Sequence, residues 1–317
     1  MKIEEVFPKF VKSKILSVSP LGDGHINDTF LVDTGESRYV IQRVKSTMDI
    51  EGCLHNYGLY SKVCEDAGWY YPIWIRDDEG KFFYTDETDC HWRVYKYIDG
   101  EIINTPTDED TLYACGQGLA KMHRIFAGIK DTPKAVYPHL HDLKVYYDVY
   151  LETLASKDMY EENRERDIEK TIALRAEAML GIKPDSLSVV HGDAKLANIL
   201  FKDGKVIGFI DFDTVMQGSV LEDIADCIRS CCIENDILNE KKAACLIKGY
   251  KSIEPDSKAV DMDKLPLVFE KICFELGLRY YTDAIAREKV FKEKYPGYRL
   301  DRAKSLFSLL TFETRVI

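Results

Sequence analysis

Two short polar segments, His191-Gly192-Asp193-Ala194-Lys195-Leu196-Ala197-Asn198 and Ile210-Asp211-Phe212-Asp213, hold a carboxylate, an ammonium, an amide and two further carboxylates. Phosphoryl transfer from a Mg-nucleotide calls for such a set. The reacting phosphate is highly charged, so its catalysis is mostly positioning and charge neutralisation. In that chemistry Asp193 accepts the proton of an attacking hydroxyl and so also touches the acceptor. Asn198 and Asp211 are hard oxygen ligands of the kind Mg²⁺ takes, with Asp213 as a further one. Lys195, just after the base, reaches the moving γ-phosphoryl. The expected cofactors are Mg²⁺ and ATP.

Such residues need rigid supports on either side. Residues 187–190, 198–201 and 205–209 are apolar and strand-like, and Lys202-Asp203-Gly204-Lys205 between the last two reads as a hairpin turn. The polar residues then sit at strand ends, where a scaffold presents its loops. Nearer the start, residues 15–21, 30–32, 39–44 and 92–98 also read as strands. Leu54, Tyr57, Leu59, Tyr60 and Val63 give residues 48–67 a helical spacing. Helices follow over 110–129, 146–154, 167–180 and 265–287. The chain is expected to be α+β, with a small antiparallel-sheet lobe over 1–97 and a larger, mainly helical lobe over 98–317.

The bulk properties exclude several other classes. At 317 residues, 45% hydrophobic and 31% charged, the chain has an ordinary globular composition. A formal charge of −11 argues against a nucleic-acid partner. No apolar run reaches the length of a membrane span, and the start lacks a signal-peptide core, so no membrane partner is expected. The nine cysteines are odd in number and lack paired CxxC spacing. Cys227, Cys231 and Cys232 therefore read as buried thiols in a reducing cytoplasm rather than a metal cluster.

The two polar segments resemble the catalytic and metal-binding loops of the kinase superfamily. Gly192 after the histidine, and Asp-Phe-Asp in place of Asp-Phe-Gly, place the resemblance in the aminoglycoside phosphotransferase and choline kinase branch, which acts on small molecules. Gly24-His25-Ile26-Asn27-Asp28-Thr29, Val40-Ile41-Gln42-Arg43, the loop from His191, Asp211-Phe212-Asp213-Thr214-Val215 and Leu278-Arg279-Tyr280-Tyr281-Thr282-Asp283 together resemble the N-acetylhexosamine 1-kinases. These matches run over nearly the whole chain.

The resemblance implies a bilobal protein-kinase-like fold and an ATP-dependent transfer to a small-molecule sugar acceptor. Gly22 and Gly24 would lie over the nucleotide phosphates, with Arg43 at the strand position that holds a phosphate-binding lysine. Glu51 or Asn56 would be the residue facing that cation. Lys96, Tyr97 and Ile98 would form the hinge that meets the adenine edge. His25 and Arg279 would face the sugar, an N-acetylglucosamine or N-acetylgalactosamine phosphorylated at the anomeric hydroxyl. His123 reads as a core histidine, and Asp223 or Asp226 as a brace for the catalytic loop. The alternatives are an aminoglycoside, choline or another sugar as acceptor, and a nucleotide-binding pseudokinase module without activity.

Overall fold

Alternating side chains build an antiparallel sheet from the N-terminal part of the chain. In the computed structural model, which describes residues 2–22, 27–44, 48–105, 108–184, 186–253, 260–287 and 289–310, a short helix α1 (Ile3–Val6) precedes that sheet. Its strands are β1 (Ser17–Pro20), β2 (Asp28–Asp33), β3 (Arg38–Val44), β4 (Trp74–Ile75), β5 (Tyr84–Thr85) and β6 (His91–Lys96). They lie in the order β1-β2-β3-β6-β4, with β5 also on β6. Neighbouring residues of a strand point to opposite faces. Ile41, Trp92 and Val94 pack under Val6 and Phe7 on one face. Val40, Val44 and Tyr95 pack with Trp74 and with Cys53 of helix α2 (Ile50–Asp66) on the other. Gln42 and Arg93, opposite each other in register, share this second face.

Asp49 caps α2 by accepting from the Gly52 N–H at 3.0 Å. The helix is then fastened by one buried amide. Asn56 Nδ2 donates to the carbonyls of Lys134 (2.8 Å) and Val215 (3.0 Å), while its Oδ1 accepts from the Lys134 N–H (2.8 Å). Glu51, one of the two residues expected to meet Arg43, is exposed, and the other, Asn56, bonds only to backbone here.

The C-terminal part is mainly helical, which makes the chain α+β. It holds β7 (Glu101–Ile102), α3 (Glu109–Phe126), α4 (Leu143–Ala155), α5 (Arg166–Gly181), β8 (Ser188–Val190), β9 (Ile199–Lys202), β10 (Lys205–Phe209) and β11 (Met216–Gly218). Helices α6 (Val220–Cys231), α7 (Glu240–Ile253), α8 (Leu265–Ile285) and α9 (Tyr298–Ser308) follow, with a short hairpin of Ile233–Glu234 and Ile237–Leu238 between α6 and α7. Helix α8 is buried on nearly every side and forms the centre of the core. Among the described residues no helix is long and apolar enough to cross a membrane.

Two ladders hold the polar segments. Strands β9 and β10 form a hairpin closed by Asp203 (φ 51°) and Gly204 (φ 70°), with Ile199 opposite Phe209. Strand β8 pairs with β11, with Val190 opposite Met216. The chain leaves β8 into residues 191–198 and enters β9, then leaves β10 into 210–215 and enters β11. Both loops therefore emerge at the same end of the two ladders.

Candidate active site

The first loop is pinned at every peptide that matters. Buried Asp223 of α6 accepts from the backbone N–H of His191 (2.8 Å) and of Gly192 (2.9 Å). His123 Nε2 lies 3.0 Å from the same carboxylate, and its Nδ1 lies 2.9 Å from the Tyr250 hydroxyl. Burial pushes the Asp223 pKa up, but the His123 bond and the backbone donors outweigh it and hold it below the usual value. His191 Nε2 donates to the Ile210 carbonyl at 3.0 Å, and Nδ1 accepts from the Asp193 N–H at 3.3 Å. Those two bonds select the neutral Nε2–H tautomer and tie the first loop to the second. Asp226, one turn further along α6, pairs with Arg229 at 2.8 Å.

Gly192 has φ +79°, and a Cβ there would strike the carbonyl oxygen of Thr214. The two loops touch at this glycine, so it answers to both a left-handed backbone and a close approach.

Asp193 carries the centre of the site. The Lys195 ammonium bonds its Oδ2. Asn198 Nδ2 donates to the Asp193 carbonyl at 2.8 Å and to Oδ2 at 3.2 Å. Burial raises the Asp193 pKa, yet the charge and bond of Lys195 bring it below the usual range. Lys195 is raised in turn by Asp193 and Asp211, against the effect of burial. The carboxylate is thus kept ionised, able to accept a proton from a hydroxyl placed against it.

Asp211 sits in the left-handed region, φ 64° and ψ 53°. Its carboxylate makes no hydrogen bond among the described residues. Burial first, and then the charge of Asp213, push its pKa up. A half-buried carboxylate whose ionised form is disfavoured is relieved by a cation. With the amide of Asn198 nearby, it fits Mg²⁺, which takes one or two protein oxygens and fills its shell with phosphates and water. Among the described residues no group of three His, Cys, Asp or Glu side chains could hold a metal by itself.

Asp213 does something else. Arg93 grips it with two parallel bonds, Nη1 to Oδ1 and Nη2 to Oδ2, both 2.6 Å, with the two side chains 3% and 4% exposed. Arg93 Nε donates to Gln42 Oε1 at 2.8 Å. Such a fork leaves the Asp213 carboxylate committed. The expectation of Asp213 as a metal ligand is corrected: it anchors the loop to the sheet.

A family model described as the phosphotransferase enzyme family matches residues 17–244. The chain belongs to the phosphotransferase enzyme family. Homoserine kinase of Brucella anthropi is 28% identical over 176 residues, 55% of this chain and 52% of that protein. The chain thus spans about half the length of that relative in the match. Homoserine kinase of Chelativorans sp. is 24% identical over 261 residues, 80% of this chain and 76% of that protein. The solved amicoumacin kinase hAmiN, in complex with AMP-PNP, Ca²⁺ and Ami, superposes with a TM-score of 0.67 at 14% identity, over 96% of this chain and 91% of its own. The fold is therefore the kinase-like one.

In this member of the family the basic residue on β3 is turned away from the loops. Arg43 lies on the α1 face of the sheet, its Nη2 3.0 Å from Cys90 Sγ and its guanidinium 5.9 Å from the Trp92 ring centre. The expectation that Arg43 meets the nucleotide phosphates is corrected by strand phase. Its neighbour Gln42 lies on the face toward the loops instead, and the cation that reaches the second loop from that face is Arg93 of β6. Arg93 could have been suspected from the sequence, as a charge in phase with Tyr95 on a strand of otherwise apolar inner residues.

At the expected hinge, the N–H of Lys96 donates to the Ile73 carbonyl (3.2 Å) and that of Tyr97 to the Arg38 carbonyl (3.0 Å). These two donors are engaged within the protein, so neither stands free for an adenine edge. Gly22 adopts φ +72°. Gly24 and His25 lie outside the described residues. Arg279 is half-buried between two rings, 4.7 Å from the Tyr146 centre and 5.5 Å from that of Phe291. It makes no ion pair among the described residues. One helical turn before it, Glu275 bonds His141, which in turn reaches Gly192 of the first loop. No sequence motif marks His141 or Glu275.

Proposed function

We propose that this phosphotransferase moves the γ-phosphoryl of ATP to the anomeric hydroxyl of an N-acetylhexosamine, giving the sugar 1-phosphate. The observation that carries phosphoryl transfer is the ionised Asp193, bonded by Lys195 and Asn198, beside a half-buried Asp211 whose carboxylate makes no hydrogen bond among the described residues. Asp193 takes the proton of the sugar hydroxyl and orients its oxygen. Lys195 neutralises charge on the transferring group. Asn198 and Asp211 would hold Mg²⁺, which would neutralise charge on the nucleotide's phosphates when bound.

The sugar reading rests on the residues that resemble the N-acetylhexosamine 1-kinases, and on Arg279. An unpaired guanidinium in an aromatic slot suits neutral hydroxyl and acetamido oxygens and repels a cationic acceptor such as choline or an aminoglycoside. The same guanidinium also suits a carboxylate, and the named relatives are homoserine kinases. Homoserine, an amino acid with a terminal alcohol, is accordingly the second reading.

A panel of acceptors in a nucleotide-consumption assay separates these. N-acetylglucosamine or N-acetylgalactosamine should exceed glucose in kcat/KM by roughly 10–100-fold, the effect of one buried polar group left unpaired. Choline and kanamycin should be poor. Arg279→Ala should raise the acceptor KM and leave the ATP KM near its native value. Preference for homoserine would replace the sugar reading while keeping the same base and metal loop.

Asp211 gives a prediction with a sign. Its pKa is raised in the fold, so its ionised form opposes folding, and the stability tied to it is lost as pH rises through the raised value. Asp211→Asn should therefore raise the Tm of the ligand-free protein at pH 7 and abolish the Mg²⁺ dependence of nucleotide binding. Acidification should weaken Mg²⁺-nucleotide binding before it protonates Asp193, which Lys195 holds low. Titrations at several pH values, with Tm measured on the same samples, check both. A metal dependence unchanged in Asp211→Asn would remove this residue from the site.

A further inference from the structure

His141 lies between α3 and α4 in the left-handed region, φ 60°. Its ring spans from the acceptor side of the molecule to the base loop. Nε2 is 2.8 Å from the Gly192 carbonyl and Nδ1 is 3.0 Å from Glu275 Oε1 of α8. A carbonyl oxygen and an ionised carboxylate can only accept, so both ring nitrogens donate and the ring is an imidazolium. Burial works against that charge, but Glu275 outweighs it and pushes the His141 pKa up to about 10. Glu275 itself is 2% exposed, and its Oε2 has no hydrogen-bond partner among the described residues.

The Gly192 carbonyl belongs to the peptide that joins Gly192 to Asp193. The N–H of the same peptide donates to His191 Nδ1 at 3.3 Å. Two histidines thus grip the two ends of one planar unit. With the plane fixed, the direction of the Asp193 Cα–Cβ bond is fixed too. His191 ties that plane to the second loop through Ile210, and His141 ties it to α8, one turn from Arg279.

We propose that His141 is a positioning residue for phosphoryl transfer: locked by Glu275, it holds the Gly192–Asp193 peptide so that the base and the acceptor wall on α8 form one rigid unit. The inference rests on Asp193 being the base and not on which alcohol is the acceptor. The donated bond carries a full charge, so it is stronger than a neutral contact. A base displaced by about 1 Å loses on the order of 10²-fold in rate.

The test compares His141→Ala, His141→Gln and Glu275→Gln in the full chain. The rate is read on the best acceptor of the panel, or as ATP hydrolysis if none is turned over. His141→Ala should lower kcat by about 10–10²-fold and leave the ATP KM within about twofold. His141→Gln, whose amide can still donate to the Gly192 carbonyl, should recover much of that kcat. A purely structural histidine would lower Tm but leave kcat per folded molecule unchanged. That result overturns the proposal, as does a His141→Gln protein that regains Tm without regaining kcat. If His141→Ala does not fold, Glu275→Gln decides: a lowered kcat at native ATP KM supports the proposal, and a native kcat overturns it. Asp193→Asn run alongside separates the two readings. If Asp193→Asn keeps the native rate, the base assignment fails. If it loses the rate and His141→Ala does not, only the positioning role fails.

Discussion

Asp193→Asn is expected to fold normally and to lose kcat by about 10²–10⁴-fold, the usual worth of a positioned acid–base group. The amide keeps the shape of the carboxylate and can still accept from Lys195 and Asn198 through its oxygen. It cannot take the proton of an attacking hydroxyl. The loss should therefore fall on kcat, with the ATP KM little changed, because binding of the nucleotide rests on other groups. Purified variant and native protein compared by steady-state kinetics and thermal melting decide the matter. A variant with near-native kcat would show that the proton goes elsewhere.

Arg93→Met is expected to have the largest effect on stability. It removes the guanidinium but leaves Asp213 buried at 4% exposure with Cys53 Sγ, at 3.5 Å, as its remaining polar neighbour of those it now has. Removing one partner of a buried ion pair costs about 3–5 kcal/mol, since the other charge stays desolvated. The Tm should fall by on the order of 10 °C for a chain of this size. Arg93→Lys should recover only part of the loss, because a point ammonium cannot make the two parallel bonds. In the double variant Arg93→Met, Asp213→Leu the melting temperature should return most of the way, with activity still low. The reason is that the pair ties the second loop to the sheet, and an apolar contact lacks that directionality. A single variant that melts within about 2 °C of the native protein would remove the pair from any stabilising role.

The sequence made the two polar loops legible because their residues are contiguous. It also made the β9–β10 hairpin legible, since Lys202-Asp203-Gly204-Lys205 supplies the turn chemistry between apolar flanks. Strand and helix were likewise readable from period, as α2 and α8 show. What remained hidden depends on phase and on distance along the chain. Arg43 and Gln42 are neighbours in sequence, and only the buried face of β3 decides which one meets the loops. Asp213 looks like a metal ligand until Arg93, from a strand far upstream, is folded against it. His141 and Glu275 are far apart in sequence, and only the fold brings the ring between Glu275 Oε1 and the Gly192 carbonyl. The brace on Asp223 was readable as a type of role, while its choice over Asp226 needed the backbone of His191 and Gly192 in place.

The central claim is transfer of the γ-phosphoryl of ATP to a small-molecule alcohol, with the anomeric hydroxyl of an N-acetylhexosamine as the acceptor. Nuclear magnetic resonance of the product tests it most directly. The protein is incubated with MgATP and N-acetylglucosamine or N-acetylgalactosamine, and the phosphorus and proton spectra are recorded. The account predicts a new phosphomonoester signal coupled to the anomeric proton, loss of the reducing end, and neither change with Asp193→Asn. Phosphorus coupled to a different ring proton, or ATP consumed with no phosphorylated sugar in the spectrum, would contradict it.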